Sequence, residues 1–198
     1  ALFVDFDNVY SGLVKLDAEA AAVFAKAPGE WLRQLENGQD AEGGFVRRFL
    51  IRACYLNPSV YSDYRPCFTR AGFRVIDCPS LTNQGKSSAD INLALDALEM
   101  AFTHDHINAY AIVSGDSDFI ALVNKLKQYD KRIFVVGGRA FTSTILQKNC
   151  HEFVAYESVM DDRPRSSSSQ GQQQQHGHDR GRDAGAQQQP QQQQPSQQ

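Results

Sequence analysis

Residues 109–119 read AYAIVSGDSDF. The apolar run AYAIV has the length and the Tyr/Ile/Val content of a strand covered on both faces. It ends in Ser-Gly-Asp-Ser-Asp, a turn that carries two carboxylates, and a helical pattern begins at about residue 117. The same shape opens the chain, where FVDFDN at residues 3–8 sets Asp5 and Asp7 behind another apolar run. A buried strand that ends in carboxylates is costly unless a partner or a cation compensates them. Two such ends in one chain demand an explanation together.

Working outward, strand patterns fall at residues 2–5, 45–56, 73–78, 109–113, 132–137 and 152–155. Helical patterns lie between them at about 8–26, 30–37, 58–71, 87–103, 117–129 and 140–148. This alternation predicts an α/β fold with a mostly parallel central sheet. In open parallel sheets, functional groups gather at the carboxyl ends of the strands where the strand order reverses. Asp5 and Asp7 follow the first strand, and Ser114, Asp116 and Asp118 follow the fourth.

Parallel strands bring such ends close together. Repulsion between neighbouring carboxylates is then relieved by proton sharing or by a cation. Oxygen-only ligation suits Mg²⁺ or Mn²⁺, and such ions can activate water and stabilise the leaving oxygen of a phosphodiester. Each acid also has a structural reading. Asp7 or Asn8 could cap the helix starting near residue 8, and Ser117 or Asp118 the helix at 117–129. Ser87-Ser88-Ala89-Asp90 resembles a capping box, which would make Asp90 structural. Against that, the helix DINLALDALEMAF sets Ile91, Leu95, Leu98 and Phe102 on one apolar stripe, with Asp90 at its edge in the first turn. Asp90 would then point toward the same sheet edge as Asp5. Asp96 projects to the opposite face and reads as solvated.

The chain has 198 residues and a formal charge of −3. From about Arg163 the composition turns to Ser, Gln, Gly and Arg, a text that cannot bury enough apolar surface to offset the entropy of ordering it. The expectation is a folded domain over residues 1–162 and a disordered tail over 163–198. Four arginines against two aspartates give the tail +2, so the rest carries −3 − 2 = −5. That balance lacks the basic footprint of a nucleic-acid binder, although an acidic cluster neutralised by metal would account for part of it. Arg47, Arg48, Arg52, Arg65, Arg70 and Arg74 crowd one region without a lysine, readable either as solvated surface or as a phosphate-facing patch. Lys86, just before the central helix, could meet a phosphate or be an ordinary loop lysine. Cys54, Cys67, Cys78 and Cys150 form no CxxC pair, and buried reduced thiols are expected. No secretory leader is read and no apolar run approaches membrane-spanning length, so the expected compartment is reducing and cytoplasmic.

Together FVDFDN, K-x-x-x-D-I-x-L-A-L-D at 86–96 and IVSGDSDF at 112–119 resemble, in family order, the NYN branch of the PIN-like ribonucleases, including the LabA-like proteins. The resemblance covers most of residues 1–160. It implies a Rossmann-like three-layer α/β/α sandwich with a Mg²⁺- or Mn²⁺-dependent nuclease site at the strand ends, acting on RNA. Asp5 matches the family's first metal-binding acid and Asn8 its polar companion. Asp90 matches the acid that opens the central helix, and Asp116 and Asp118 the pair after the fourth strand. Asp7 and Ser114 would support them, Ser114 by orienting an acid or a water. Lys86, Arg47 and Arg48 are candidate nucleic-acid contacts. PIN-like domains often pair, which leaves a homodimer open, and the Gln-rich tail could engage protein partners.

Two other readings compete. DFDNV at 5–9 also fits the opening of haloacid-dehalogenase-like phosphatases, with Asp5 as nucleophile and Asp7 as general acid. That reading leaves Asp90 without a role, and the acids of SGDSDF are spaced too closely for its metal motif. The domain could instead be an RNA-binding or interaction module without turnover. A toprim-like fold would need Glu where residue 5 is Asp. His176 and His178 in the tail read as filler.

Overall fold

The computed structural model describes residues 1–40, 43–80 and 88–160. The expectations for Lys86 and for the tail at 163–198 lie outside the described residues. Six of the strands described form one sheet: β1 (Leu2–Asp5), β4 (Arg52–Leu56), β5 (Arg74–Asp77), β6 (Ala109–Val113), β7 (Arg132–Gly137) and β8 (Glu152–Ala155). All its pairings are parallel, and the order is β5-β4-β1-β6-β7-β8. The chain runs outward from β1 to one edge, returns, and runs outward to the other. The reversal therefore falls between β1 and β6, where Leu2 pairs with Ala111 and Val4 with Val113. These are the two strands that end in the acidic turns.

Side-chain alternation along the strands supplies both layers of core. Leu2, Val4, Cys54, Leu56, Ala111, Val113, Phe134 and Val136 face one side. They meet α1 (Phe6–Leu16), α2 (Ala18–Lys26), α3 (Pro28–Glu36), α5 (Arg65–Arg70) and α9 (Tyr156–Met160). Phe3, Ala53, Tyr55, Tyr110, Ile112, Ile133 and Val135 face the other side. There lie α6 (Ala89–Thr103), α7 (Ile120–Gln128) and α8 (Thr144–Asn149). The result has the parallel sheet that the alternation predicts, in the three-layer α/β/α sandwich that the family resemblance implies. The first layer centres on Phe6, Phe24, Trp31 and Phe68, all buried, with Trp31 Nε1 donating to the Phe24 carbonyl at 3.1 Å. Each such ring contributes about 1.5–3 kcal/mol through burial.

Several boundaries differ from the sequence reading. The pattern at 8–26 is two helices, because Asp17 is extended (φ −154°) and its carboxylate caps α2 by accepting the Glu19 and Ala20 N–H groups. The run 45–56 is also two elements. β3 (Gly43–Val46) pairs antiparallel with β2 (Asn37–Asp40), and β4 begins only at Arg52. The stretch at 58–71 divides into α4 (Pro58–Tyr61), a 3₁₀ turn (Ser62–Tyr64) and α5. Pro58 and Pro66, which cannot donate within a helix interior, sit at the starts of those helices.

The largest correction concerns α6. Its buried positions are Ala89, Leu93, Ala97, Met100 and Ala101. The stripe expected to enter the core points outward instead, with Ile91 64%, Leu95 60% and Phe102 59% exposed. The helix is apolar on nearly every face, so periodicity alone could not choose which one the sheet would take.

Candidate active site

Asp5 closes β1 and also caps α1, its Oδ1 accepting the Asn8 backbone N–H at 3.4 Å. Asp5, not Asp7 or Asn8, is thus the capping residue. Register alternation sends its side chain to the α6 side, where the Ser114 hydroxyl donates to Oδ2 at 3.0 Å. Ser114 is fully buried, and its oxygen in turn accepts the Asp116 backbone N–H at 3.2 Å. Asp5 is 1% exposed. Burial foremost, and then the Asp90 charge, push its carboxyl up to about 7, although the bonds from Ser114 and Asn8 pull the other way.

Asp7 and Asn8 tie α1 to the neighbouring strands. Asp7 Oδ1 accepts the Asn57 backbone N–H at 3.1 Å, just beyond β4. Asn8 Oδ1 accepts the Gly115 N–H at 2.9 Å, just beyond β6. Asp7 is also pushed above the usual carboxylate range, by burial first and by Asp90 next. Asn57, which the sequence reading passed over, is 6% exposed and shapes the same corner. Its Oδ1 caps α4 through the Ser59 N–H at 3.0 Å, and its Nδ2 donates to Ser80 Oγ at 2.9 Å. A polar residue directly after the strand text ACYL, followed by proline, was the signal available.

Asp5, Asp7, Asn8, Asn57, Asp90 and Asp116 line one cleft of about 410 Å³ at the β1–β6 reversal. Asp90 sits in the first turn of α6, whose N-cap residue Ser88 makes no side-chain capping bond, and the Ser87 end of the expected box lies outside the described residues. Asp116 caps the 3₁₀ turn Ser117–Phe119, its Oδ1 accepting the Asp118 N–H at 2.9 Å. Asp118 itself is exposed and lines an adjoining groove, which it shares with Asp90. Four acids therefore surround the cleft and the fifth stands beside it. The loop that carries Asp116 is held by the Phe141 ring. A Cβ added at Gly115 would come 2.8 Å from Phe141 Cδ2, and one at Gly12 of α1 would come 2.9 Å from the same atom.

The arginines take other work. Arg47 Nη2 pairs with Glu152 at 2.8 Å at the start of β8, and Arg52 Nη2 pairs with Glu36 at 2.7 Å at the start of β4. Both lie at the amino ends of strands, the opposite edge of the sheet from the cleft. Arg48, exposed in the same segment, is not among the residues that line the cleft. Arg74 pairs with Asp96 at 2.7 Å, and Asp96 also accepts the Tyr55 hydroxyl at 2.6 Å. Asp96 is therefore a structural partner rather than a solvated acid.

The NYN domain family matches residues 1–157, nearly the whole described chain. The chain belongs to the NYN family. NYN domains are a nuclease-type branch of the PIN-like superfamily, whose members generally use divalent metals. A relative, the uncharacterized protein MJ0482 of Methanocaldococcus jannaschii, is 36% identical over 74 residues. That match spans 34% of this NYN chain and 30% of the relative. Among solved structures, a protein of unknown function, VPA0982 from Vibrio parahaemolyticus, superposes with a TM-score of 0.60 at 23% identity. It covers 78% of this chain and 90% of its own, and shares the fold.

The donor set of this NYN domain suits a hard divalent ion. The cleft is lined by carboxylate, amide and hydroxyl oxygens with no sulfur or imidazole among the described residues. Its deepest acid is held near neutrality by burial and by Asp90, a penalty that a cation would remove. Among the described residues, no group of three or more His, Cys, Asp or Glu side chains is already arranged to hold a metal ion. No described helix is long and apolar enough to cross a membrane.

Proposed function

We propose that this NYN domain is a metal-dependent endoribonuclease that hydrolyses RNA phosphodiesters. The observation that carries the reading is the meeting of Asp5, Asp7, Asp90 and Asp116 around one cleft at the strand reversal, with Asp5 buried beneath. Asp5, Asp90 and Asp116 would hold Mg²⁺ or Mn²⁺, with Asp118 at the rim. Such an ion supplies Lewis-acid stabilisation of charge on the phosphodiester and makes water easier to deprotonate.

The protein's own groups supply positioning. Ser114 and the Asn8 N–H fix both oxygens of Asp5, so the deepest acid holds one orientation. Asp7, its carboxyl raised above the usual carboxylate range by burial, would take a proton from the attacking water. The Asp7–Asn57 and Asn8–Gly115 bonds keep the cleft's two walls at a set spacing. The phosphatase reading fits less well. It gives Asp90 no role, although Asp90 lines the same cleft as Asp5, and Asp116 and Asp118 are too closely spaced for its metal motif.

The test is cleavage of end-labelled single-stranded RNA by the full chain with Mn²⁺, Mg²⁺ or EDTA, beside Asp5→Asn and Asp116→Asn. Metal-dependent cutting lost in both variants supports the reading. Folded protein that Mn²⁺ stabilises but that cuts nothing would make the domain a binding module instead.

A further inference from the structure

The outward stripe of α6 borders a groove of about 580 Å³ between α6 and α7. Ile91, Ala94 and Leu98 form one wall, and Ala121, Leu122 and Lys125 the other. One end opens at Asp90 and Asp118, and Asp90 also lines the acidic cleft, so the two depressions share a wall. Continuing each wall by one helical turn leads from Leu98 to Phe102 and from Lys125 to Tyr129. Those two rings meet edge to face, with centroids 4.7 Å apart, and Lys125 Nζ lies 5.4 Å from the Tyr129 ring centre. Phe102 is 59% and Tyr129 36% exposed. An apolar channel thus runs from the carboxylates to an exposed aromatic pair with a cation above it.

We propose that this groove is a binding track for single-stranded RNA leading out of the cleft, a proposal that rests on the nuclease reading. Three features select that occupant. The groove is continuous with the cleft where the phosphodiester would sit. Apolar walls and exposed rings suit unstacked bases, which offer a π-face whatever their sequence. Lys125 is the cation among the lining residues, seven positions beyond Asp118, with its Nζ over the Tyr129 ring and donating to Gln128 Oε1 at 3.3 Å. From Asp90 to Phe102 the helix rises about 18 Å. That length holds about five nucleotides at a stacked spacing of about 3.4 Å, and fewer if the strand is extended. A duplex cannot present its bases to such a channel, so the substrate is single-stranded there.

The experiment is fluorescence anisotropy of the full chain with labelled oligoribonucleotides of graded length, in Ca²⁺ to hold back turnover, with Mn²⁺-driven cleavage measured in parallel. Affinity is expected to rise with length and level off once about five nucleotides lie beyond the cleft. Phe102→Ser and Lys125→Glu, both solvent-facing changes, should each weaken binding of the long oligonucleotides about tenfold. Leu50→Ser, on an exposed residue that does not line the groove, should not. Length-independent binding, or groove variants that bind like the parent, would overturn the track even where cleavage persists. Length-dependent binding with no cleavage under any metal would overturn the nuclease reading and leave the track standing. Dimers in sedimentation that Phe102→Ser abolishes without changing RNA affinity would assign the face to a second copy, against the proposal.

Discussion

The Ser114 hydroxyl bridges the two acidic strand ends: it donates to Asp5 Oδ2 at 3.0 Å and accepts the Asp116 N–H at 3.2 Å. The Asp116 N–H can only donate, so Ser114 Oγ is its acceptor, and the hydroxyl proton serves Asp5 while that carboxyl is ionised. Ser114→Ala leaves that N–H and a buried carboxyl oxygen without this partner. The expected cost is about 1–3 kcal/mol in urea denaturation. Ser114 also holds the Asp5 carboxyl down, so its loss should shift the acid limb of the cleavage profile to higher pH. Ser114→Thr, which retains the hydroxyl, should recover most of both effects.

Asp5 gives the metal-free protein a pH signature. Its folded value of about 7 lies above the unfolded value of about 3.9. The folded state therefore holds the extra proton between those values, and stability falls as pH rises from about 4 to about 7, then levels. The full span corresponds to about 4 kcal/mol. Melting temperatures in chelator should decline across that window, and Asp5→Asn should flatten the decline. Mn²⁺ should raise the melting temperature far more at pH 7.5 than at pH 5, since protons compete for the same carboxyl.

Asp90 and Asp96 stand six positions apart on α6 and should behave oppositely. Asp96→Ala strips the acceptor from the Tyr55 hydroxyl and the partner from Arg74. A loss of about 2 kcal/mol is expected, with cleavage retained by the folded fraction. Asp90→Asn removes a charge that raises both Asp5 and Asp7. Stability should hold or improve while cleavage falls to background. Paired denaturation and cleavage assays on the two variants separate the roles.

Gly115→Ala should damage the site without touching an acid. Its new methyl would stand 2.8 Å from Phe141 Cδ2 and 3.0 Å from the Phe141 carbonyl oxygen. Overpacking of this kind costs about 1–3 kcal/mol. Phe141→Leu should restore part of the stability in the double variant, because it relieves the ring contact and leaves the carbonyl contact. A double variant no more stable than Gly115→Ala would count against the ring as the obstacle.

Both acidic strand ends were legible in the sequence, because short β-branched runs followed by Asp mark a parallel strand and its functional edge. The parallel α/β sheet followed from strand–helix alternation, and the three layers from the family resemblance. What escaped depended on three-dimensional choice. α6 could bury either of two apolar faces, and its alanines, small enough for close approach to the sheet, prevailed over the larger Ile91, Leu95 and Phe102. Asp96 read as solvated because nothing in one dimension shows that the Tyr55 hydroxyl would emerge beneath it. Asn57 went unnoticed because it carries no charge, although it closes the cleft's far corner. The arginine cluster suggested phosphate, yet Arg47, Arg52 and Arg74 each meet a carboxylate from a distant element.

Asp7 and Asn8 are covalent neighbours, yet one grips the chain just beyond β4 and the other the chain just beyond β6. The cleft is consequently an event in time as well as a place. A nascent chain that has not yet reached Asp116 has Asp5 and Asp7 but no wall opposite them, and the bond from Ser114 to Asp5 spans 109 positions. Until β6 docks against β1, the acids are scattered along an open chain. An activity directed at RNA would thus stay silent on a ribosome through most of the domain's own synthesis, and would switch on only once the central strands had closed.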